Sequence, residues 1–281
     1  MAIGFRRVSQ LSSTILSNSY LASTVTRNIN TNGLKGVCVP FLNCYSCPGA
    51  LFSCPVGAIQ HFMAIHVFPF YLLAFIGLVG ITVGRMPCGW LCPFGFLQEV
   101  MYTINSPKFK IPYALTYIKY LILIILVVML PYVTGESWFS KICPAGALTA
   151  GLPWVIWNPT NLVTGRPLLP AGPGALFYLS LILLLFFLAW CVVSKRPFCR
   201  VACPLGGMLS LFSRISLIRL EAHRCDGCNT CESNCPMDLN IYLDPNAKEC
   251  IRCLDCTQCG YVKVITPFTT PEGTWAGRKE S

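Results

Sequence analysis

The cysteines near the carboxyl end of this sequence have the spacing of metal-cluster ligands. One run reads Cys-x2-Cys-x2-Cys-x3-Cys-Pro, and a second run further along reads Cys-x2-Cys-x2-Cys-x2-Cys. The residues are Cys225, Cys228, Cys231 and Cys235, followed by Cys250, Cys253, Cys256 and Cys259. Bacterial ferredoxins use such tandem runs to hold two [4Fe–4S] clusters. Closely spaced thiolates favour a shared metal centre over disulfides, so two iron–sulfur clusters are predicted here.

The ferredoxin pattern also predicts how these cysteines divide between the two clusters, because the fourth cysteine of each run ligates the other cluster. One cluster is then expected to take Cys225, Cys228, Cys231 and Cys259, and the other to take Cys250, Cys253, Cys256 and Cys235. The second run departs from the pattern at its end, where two residues rather than three precede Cys259 and Gly260 replaces the usual proline.

Two further cysteine pairs share a Cys-x3-Cys-Pro spacing. Cys88 and Cys92 form one pair, and Cys199 and Cys203 form the other. Side chains four residues apart lie on one face of a helix, and each pair adjoins the end of an apolar segment. We expect the pairs to face each other and to supply four thiolates for a third cluster at the cytoplasmic membrane face. The alternative is a set of buried structural thiols.

A last group of cysteines lies towards the amino end and is joined by one cysteine of a later loop. The preferred ligands of a fourth cluster are Cys44, Cys47, Cys54 and Cys143. Cys54 and Cys143 share a Cys-Pro-x-Gly context, and both are expected on the outer side of the membrane. Cys38 is an alternative ligand, or forms a disulfide with a neighbour. Cys191 remains as a small apolar side chain within an apolar segment.

Composition indicates that the elements which position these cysteines are largely embedded in a membrane. Mean hydropathy is +0.59, and 11% of the residues are charged. The segments 62–84, 113–134 and 175–193 each approach the ~20 apolar residues that cross a bilayer core of ~30 Å. Lys119 near the start of the second segment is expected to snorkel. The net charge of +10 comes without a nucleic-acid-binding motif and is interpreted as a topology signal.

The stretch 8–25 has an apolar face and a face crowded with serines, and it has two interpretations. It is either an amphipathic helix on the membrane surface or a fourth span whose hydroxyl face packs against other helices. If it spans, nine basic residues lie on one side and four on the other; otherwise the count is seven against six. The first distribution is a clear positive-inside bias, so we favour four spans with both termini in the cytoplasm.

These observations predict a mainly α membrane protein of about four transmembrane helices with a small α+β two-cluster ferredoxin-like domain. Residues 1–215 are expected to form the membrane domain, with cysteine sites at its two faces. Residues 216–266 are expected to form the ferredoxin-like domain, on the cytoplasmic side of the cell membrane, and residues 267–281 a tail. No Walker loop, dinucleotide fingerprint or nucleophilic triad is present, so no substrate pocket is expected.

The two Cys-x3-Cys-Pro elements and the tandem run resemble the NapH-type membrane polyferredoxins, a 4Fe-4S-binding family related to NosR and CcoG. The resemblance covers about residues 62–265, and the extra cysteines near the amino end indicate a sub-branch. It implies a four-span protein with two cytoplasmic [4Fe–4S] clusters. It also implies electron transfer between quinol or cytoplasmic donors and redox partners across the membrane.

The function expected from the sequence is electron transfer within the lipid bilayer through about four [4Fe–4S] clusters. The expected donor is a cytoplasmic protein such as a ferredoxin, and the acceptor is a redox protein in the membrane or on its outer face, with a flavoprotein or a quinone as candidates. The protein would be an electron-transfer subunit of an oxidoreductase system. Two alternatives are an assembly or regulatory factor that reduces a metal centre or flavoprotein, and a quinol dehydrogenase subunit.

Overall fold

The computed structural model describes residues 2–23, 30, 33–157, 173–222 and 229–267, and it is mainly helical. In chain order the α-helices are α1 Ala2–Ser17, α2 Pro55–Ala64, α3 Phe70–Thr82, α4 Met86–Trp90, α5 Pro93–Tyr102, α6 Tyr113–Thr134, α7 Trp138–Ile142, α8 Pro144–Gly146, α9 Leu152–Trp157, α10 Ala175–Val193, α11 Pro197–Val201, α12 Pro204–Leu211 and α13 Thr230–Asn234. A π-helical turn, Ala147–Gly151, joins α8 to α9, and α6 contains 3-10 and π-helical turns.

Two helices are long and apolar enough to cross a membrane by length and composition, in the part of the chain that the structure describes. They are α6 and α10, which correspond to two of the three apolar segments. Their outward surfaces carry large apolar side chains such as Leu121, Val133 and Ile182, all of which are exposed. Their inward surfaces pack against the core through Val127, Leu184 and neighbouring residues.

The prediction of one continuous helix over 62–84 is wrong. Helix α2 ends at Ala64, His66 adopts a left-handed backbone with φ 57°, and α3 begins only after Pro69. The break has a local cause, because a proline disfavours helical geometry in the residue before it and a left-handed residue ends a helix. At 13 residues, α3 is about 20 Å long, which is shorter than a bilayer core.

Helix α1 begins and ends earlier than the predicted stretch 8–25. Its apolar residues point outward, with Val8, Leu11 and Ile15 exposed, whereas Arg6 and Gln10 are buried. The polar face packs against the protein interior, where Gln10 Nε2 donates a hydrogen bond to the carbonyl of Gly89 at 2.8 Å. A helix with its polar side chains inward and its apolar side chains outward is the reverse of a soluble surface helix.

The prediction that Lys119 snorkels is also wrong. Its side chain is fully buried and forms an ion pair with Glu249, which comes from the carboxyl-terminal part of the chain. Glu249 also binds Arg85 at 2.8 Å. A carboxylate supplied from outside the helix compensates for the desolvation of the ammonium group, which local sequence could not reveal.

The carboxyl-terminal unit is small and packs directly on the helices. Strands β1 Arg219–Ala222 and β2 Val262–Ile265 pair antiparallel, with Leu220 opposite Val264. A 3-10 turn, Asp255–Cys259, packs against α13. The unit contacts the chain that follows α3, because the indole Nε1 of Trp90 donates to the carbonyl of Arg252 at 3.0 Å. These contacts hold the second cysteine run against the Cys88–Cys92 segment.

Candidate metal centres

The four cysteines of the two Cys-x3-Cys-Pro elements come together as expected. Cys88, Cys92, Cys199 and Cys203 are all buried and line one cavity together with Phe41 and Leu42. We name these four cysteines the central site. Short helices α4 and α11 carry the first cysteine of each pair, and the second cysteine begins the following helix. The two pairs therefore face each other across the cavity.

At the central site, each Cys-Pro-x-Gly sequence starts a helix and gives its cysteine a backbone hydrogen-bond donor. Cys92 is the N-cap residue of α5, and its sulfur accepts a hydrogen bond from the amide of Gly95 at 3.4 Å. Cys203 is the N-cap residue of α12, and its sulfur accepts from the amide of Gly206 at the same distance. Proline suits the first helical turn because it lacks an N–H that would stay unbonded there. Hydrogen bonds and a helix N-terminus both favour a thiolate.

Burial raises the pKa of the thiols of Cys88, Cys92 and Cys203. Desolvation by burial raises the pKa of Cys92 to about 12, and the neighbouring thiolates of Cys199 and Cys88 add to the effect. The pKa of Cys203 lies well above its ordinary value for the same reasons. The amide Nε2 of Gln98 donates to the sulfur of Cys199 at 3.1 Å. A metal centre held by thiols with raised pKa values would displace their protons as it binds.

Two buried arginines complete the central site, and the sequence interpretation did not include them. Arg85 forms an ion pair with Glu249 and also interacts electrostatically with the sulfur of Cys88. Arg196 forms an ion pair with Glu99 at 2.7 Å and interacts with the sulfurs of Cys92 and Cys199. Burial would lower the pKa of each arginine, but the carboxylates and thiolates outweigh it and raise the pKa, so both guanidinium groups stay charged.

A second set of four cysteines, here named the C-terminal site, combines residues from both ferredoxin-like runs. Cys235 of the first run lines one cavity with Cys250, Cys253 and Cys256 of the second. This is the crossed arrangement that the ferredoxin pattern predicts. Burial raises the pKa of Cys235 to about 11 and that of Cys256 to about 12.

The other ferredoxin-like ligand set falls mostly outside the described part of the chain. Cys225 and Cys228 are not among the described residues, and neither is the side chain of Cys259. Cys231 is buried and interacts electrostatically with Cys256. The ligand roles of these four cysteines stay predictions.

The cysteines nearer the amino end form a more open arrangement, here named the N-terminal site: Cys44, Cys47, Cys54 and Cys143. Three of them, Cys44, Cys54 and Cys143, line a cavity of about 490 Å³. Burial raises the pKa of Cys44 and of Cys54 to about 12, with Cys143 adding to both shifts. Cys47 interacts with Cys44, but its own sulfur lies 3.7 Å from Oδ1 of Asn18.

Cys38 and Cys191 lie apart from these cavities. The sulfur of Cys38 lies 3.7 Å from Oγ of Ser53, and no thiol–thiol contact of Cys38 is found among the described residues. Cys38 and the four cysteines of the N-terminal site form no disulfide. Cys191 is fully buried in α10. The large cavity beside the N-terminal site was not expected from the sequence, which shows no substrate-binding motif.

Short stretches of backbone connect the three sites. The amide of Leu42 donates towards the sulfur of Cys92, and the next amide, that of Asn43, donates towards the sulfur of Cys54. Leu42 lines the cavities of both the central and the N-terminal site. On the other side, a Cβ atom at Gly89 would lie 2.7 Å from the carbonyl oxygen of Ile251, between Cys250 and Cys253. The central site therefore lies in direct contact with both other sites.

The donor sets suit iron–sulfur clusters better than a single ion. Within the described residues, no group of three His, Cys, Asp or Glu side chains is placed to hold one metal ion. A single tetrahedral ion holds thiolates at ~2.3 Å, whereas a cluster of four irons keeps its thiolates further apart. Four buried thiols around one cavity, with backbone N–H donors and cations nearby, match the ligation of such clusters.

Comparison with known proteins also indicates the binding of 4Fe-4S clusters. A family model for the 4Fe-4S binding domain matches residues 52–70, 65–112, 118–157 and 176–221. Uncharacterized protein MJ0750 of Methanocaldococcus jannaschii is 34% identical over 195 residues, which are 66% of this chain and 72% of that protein. The methylamine utilization ferredoxin-type protein MauN of Paracoccus denitrificans is 37% identical over 95 residues, 33% of this chain and 32% of that protein.

A longer relative shows how far the similarity extends. Regulatory protein NosR of Pseudomonas aeruginosa is 29% identical over 184 residues, which are 60% of this chain but only 22% of that protein. The chain thus matches a minor part of NosR and of the Paracoccus denitrificans MauN. No solved structure matches the chain.

Proposed function

The chain belongs to the 4Fe-4S binding domain family of ferredoxin-type electron-transfer proteins, and we propose that it relays electrons within a membrane through about four [4Fe–4S] clusters. The clusters supply the one-electron carriers when they are bound. The ligands proposed for them are those of the central, C-terminal and N-terminal sites, with Cys225, Cys228, Cys231 and Cys259 for the fourth cluster. Electrons would pass between a cytoplasmic donor and an acceptor in the membrane or on its outer face.

The observation that carries this proposal is the contact of the central site with both other sites. Two successive amides, those of Leu42 and Asn43, donate towards sulfurs of two different sites. Adjacent residues are ~3.8 Å apart, so the backbone of two successive residues reaches both sites, and Leu42 lines the cavities of both. Isolated binding sites would not need such a connection, whereas a relay does.

The protein's own residues hold and insulate this relay. Phe94, Phe198 and Phe187 pack edge to face in a row beside the central site, and all three are buried. Together with Leu205 they keep water away from the thiols. Exclusion of water strengthens the electrostatic effect of nearby charges on a cluster. Burial thus leaves the reduction potential to be set by the hydrogen bonds and ion pairs described above.

A membrane location is supported by the distribution of apolar side chains. Exposed apolar residues cover α6, α10 and the outward face of α1, and such large apolar surfaces are unusual on soluble monomers. We propose that α1, α6 and α10 cross the bilayer, and that α2 and α3 complete the fourth crossing as a broken pair of helices. The C-terminal unit would then lie on the cytoplasmic side.

One observation favours the quinol dehydrogenase alternative within this proposal. The cavity of about 490 Å³ falls in the size range of small-molecule sites. It is lined by the aromatic residues Tyr45, Trp154 and Phe177 as well as by cysteines of the N-terminal site. A planar redox group, such as that of a quinone or a flavin, is the kind of partner that this cavity fits.

The test of the proposed function begins with iron and labile sulfide per chain in the purified protein, together with EPR of the reduced form. About sixteen irons are expected for four [4Fe–4S] clusters. About eight irons with only ferredoxin-like signals would contradict the relay. The protein is then placed in liposomes that enclose an electron acceptor. Reduction of this acceptor by external dithionite is expected, and liposomes without the protein give the background rate.

The assembly or regulatory alternative makes a different prediction in the same experiment. A factor that delivers electrons only to a maturing partner protein would leave a small enclosed acceptor oxidised when that partner is absent. A relay turns over many times per chain. The number of electrons delivered per chain therefore separates these two functions.

A further inference from the structure

The central site is built from two copies of one motif that is longer than the Cys-x3-Cys-Pro element. Both copies read Arg-x2-Cys-x3-Cys-Pro-x-Gly, from Arg85 to Gly95 and from Arg196 to Gly206. Each copy folds in the same way, as a short helix followed by a helix whose N-cap is the second cysteine. The arginine is the one charged residue that the two copies share.

Each of the two arginines binds the backbone of the other copy of the motif. Arg85 Nη2 donates to the carbonyl of Cys199 at 3.4 Å, and Arg196 Nη1 donates to the carbonyl of Cys88 at 2.8 Å. Each guanidinium group therefore binds the first cysteine of the other copy. This reciprocal contact gives the site an approximate two-fold symmetry.

The glycine that ends each motif makes room for the arginine of the other copy. A Cβ atom at Gly95 would lie 3.1 Å from Nη1 of Arg196, and one at Gly206 would lie 3.0 Å from Nη2 of Arg85. Both distances are shorter than an ordinary van der Waals contact. The amides of the same two glycines donate to the sulfurs of Cys92 and Cys203. Each half of the site therefore has a guanidinium group and a backbone N–H donor side by side.

Each arginine is held by a carboxylate that it shares with a second buried cation. Glu249 binds both Arg85 and Lys119. Glu99 binds both Arg196 and Arg6, at 2.7 Å in each case. All four cations are buried. A buried positive charge without a partner is costly, so this pattern keeps the arginines in place. The Glu249 group has one excess positive charge, whereas Arg6 of the Glu99 group also pairs with Asp255 at 3.0 Å.

On the basis of the proposed function, we infer that Arg85 and Arg196 are positioning residues that raise the reduction potential of the cluster at the central site. A cluster becomes more negative when it is reduced. A fixed positive charge nearby stabilises the reduced form. Because each arginine comes from the opposite copy, the two halves of the ligand set receive the same charge.

The two arginines differ in one respect that makes the inference specific. Arg85 Nη1 also donates to the carbonyl of Lys248 at 3.1 Å, two residues before Cys250 of the C-terminal site, and it interacts with the sulfur of Cys250. Arg196 donates to the carbonyl of Cys88, and its interactions with sulfurs are with cysteines of the central site. Loss of Arg85 is therefore expected to lower the potentials of two clusters. Loss of Arg196 is expected to lower the potential of one.

The experiment is a redox titration monitored by EPR on the full-length protein in detergent, with iron content measured in parallel. Arg85→Gln should shift the midpoint potentials of two signals to more negative values, and Arg196→Gln should shift one. Arg214→Gln is the matched control, because this arginine is exposed and pairs only loosely with Asp244 at 3.9 Å. Unchanged midpoints in both variants, at full iron content, would overturn the inference.

Variants of the carboxylates keep the inference testable if an arginine variant loses its cluster. Glu249→Gln and Glu99→Gln leave the arginines unneutralised, so both should shift the midpoint in the positive direction. A negative shift, or none, contradicts an electrostatic role. Arg85→Lys retains the charge but not the planar guanidinium group. Its midpoint potentials should therefore lie closer to those of the unsubstituted protein than those of Arg85→Gln do. Iron content in the unsubstituted protein tests the proposed function separately from these shifts.

Discussion

The central and N-terminal sites start from the same local sequence and end as different sites. Cys92 and Cys203 of the central site, and Cys54 and Cys143 of the N-terminal site, all stand before Pro-x-Gly and at the start of a helix. The central site is closed, with a buried arginine from each copy of the motif. The N-terminal site opens into a cavity of about 490 Å³.

The Cys-Pro-x-Gly element places a cysteine at the start of a helix in both sites, whereas the residues around that cysteine differ between the sites. Arginines and a closed cavity suit a carrier that exchanges electrons only with other cofactors. An open cavity lined by aromatic side chains suits exchange with an external partner. Under the proposed function, we expect the central site to occupy an internal position in the relay and the N-terminal site a terminal position.

Removal of one cysteine from each site is the strongest test of this assignment. Cys203→Ala should remove the central cluster, lower the iron content by about four per chain, and abolish transfer in the liposome experiment. Cys54→Ala should remove only the N-terminal cluster and leave the EPR signals of the others unchanged. Iron analysis and EPR of both variants measure this difference.

The matched control is Cys191→Ala, which changes a buried thiol of α10 to a residue of similar size without a proposed ligand role. Its iron content should equal that of the unsubstituted protein. If Cys54→Ala also abolished the central signal, the two sites would not assemble separately, and the comparison would fail.

The next largest effect is expected on thermal stability, when a glycine of the Cys-Pro-x-Gly motif at the central site is replaced by alanine. Gly206→Ala would place a Cβ atom 3.0 Å from Nη2 of Arg85 and 3.3 Å from the carbonyl of Cys199, and overpacking of this kind costs about 1–3 kcal/mol. Gly57→Ala in α2 meets only Oγ of Ser140 at 3.9 Å. Alanine favours a helix over glycine by up to about 1 kcal/mol. Thermal unfolding should therefore show a lower midpoint for Gly206→Ala and an unchanged or slightly higher one for Gly57→Ala.

Much of the site was predictable from sequence because its information is local. The spacing of Cys88 and Cys92, and the crossing of Cys235 into the second run, both followed from known ligand geometry. Arg85 and Arg196 were missed, although the sequence contained the signal: both arginines precede their first cysteine by three residues. A comparison of the two Cys-x3-Cys-Pro elements over a longer window would have found it.

Other features depended on contacts that are distant in sequence. The partner of Lys119 is 130 residues away, so burial of this lysine could not be predicted from the apolar segment around it. The polar face of α1 is explained by distant residues such as Gly89, Glu99 and Asp255, which bind its buried side chains. The break at His66 and Pro69 had a local signal in the proline, but average hydropathy over 62–84 concealed it.

The backbone between the two sites offers a test with a smaller expected effect. Leu42→Pro removes the N–H that points at the sulfur of Cys92 while keeping an apolar side chain. A cluster that loses one hydrogen bond to its sulfur ligands has a lower potential. The EPR midpoint of the central signal should become more negative, and that of the N-terminal signal should stay the same.

Leu42→Val is the control for this prediction, since it keeps the N–H and most of the buried apolar surface. Equal shifts in the valine and proline variants would show that packing, and not the hydrogen bond, is responsible. Loss of both signals in the proline variant alone would show that this segment is needed to assemble the two sites.

The smallest effect is expected for Lys35, a cation that contacts the N-terminal site. Lys35 is buried, its Nζ donates to the carbonyl of Cys47 at 3.1 Å, and it interacts with the sulfurs of Cys47 and Cys44. Lys35→Met removes the charge but keeps the length of the side chain, so the N-terminal midpoint should become more negative. The shift should be smaller than that of Arg196→Gln at the central site, because the N-terminal site opens into a cavity where solvent screens charge. An equal or larger shift would mean that solvent screens charge no more strongly at the N-terminal site than at the central site. The two sites would then not differ in their access to solvent.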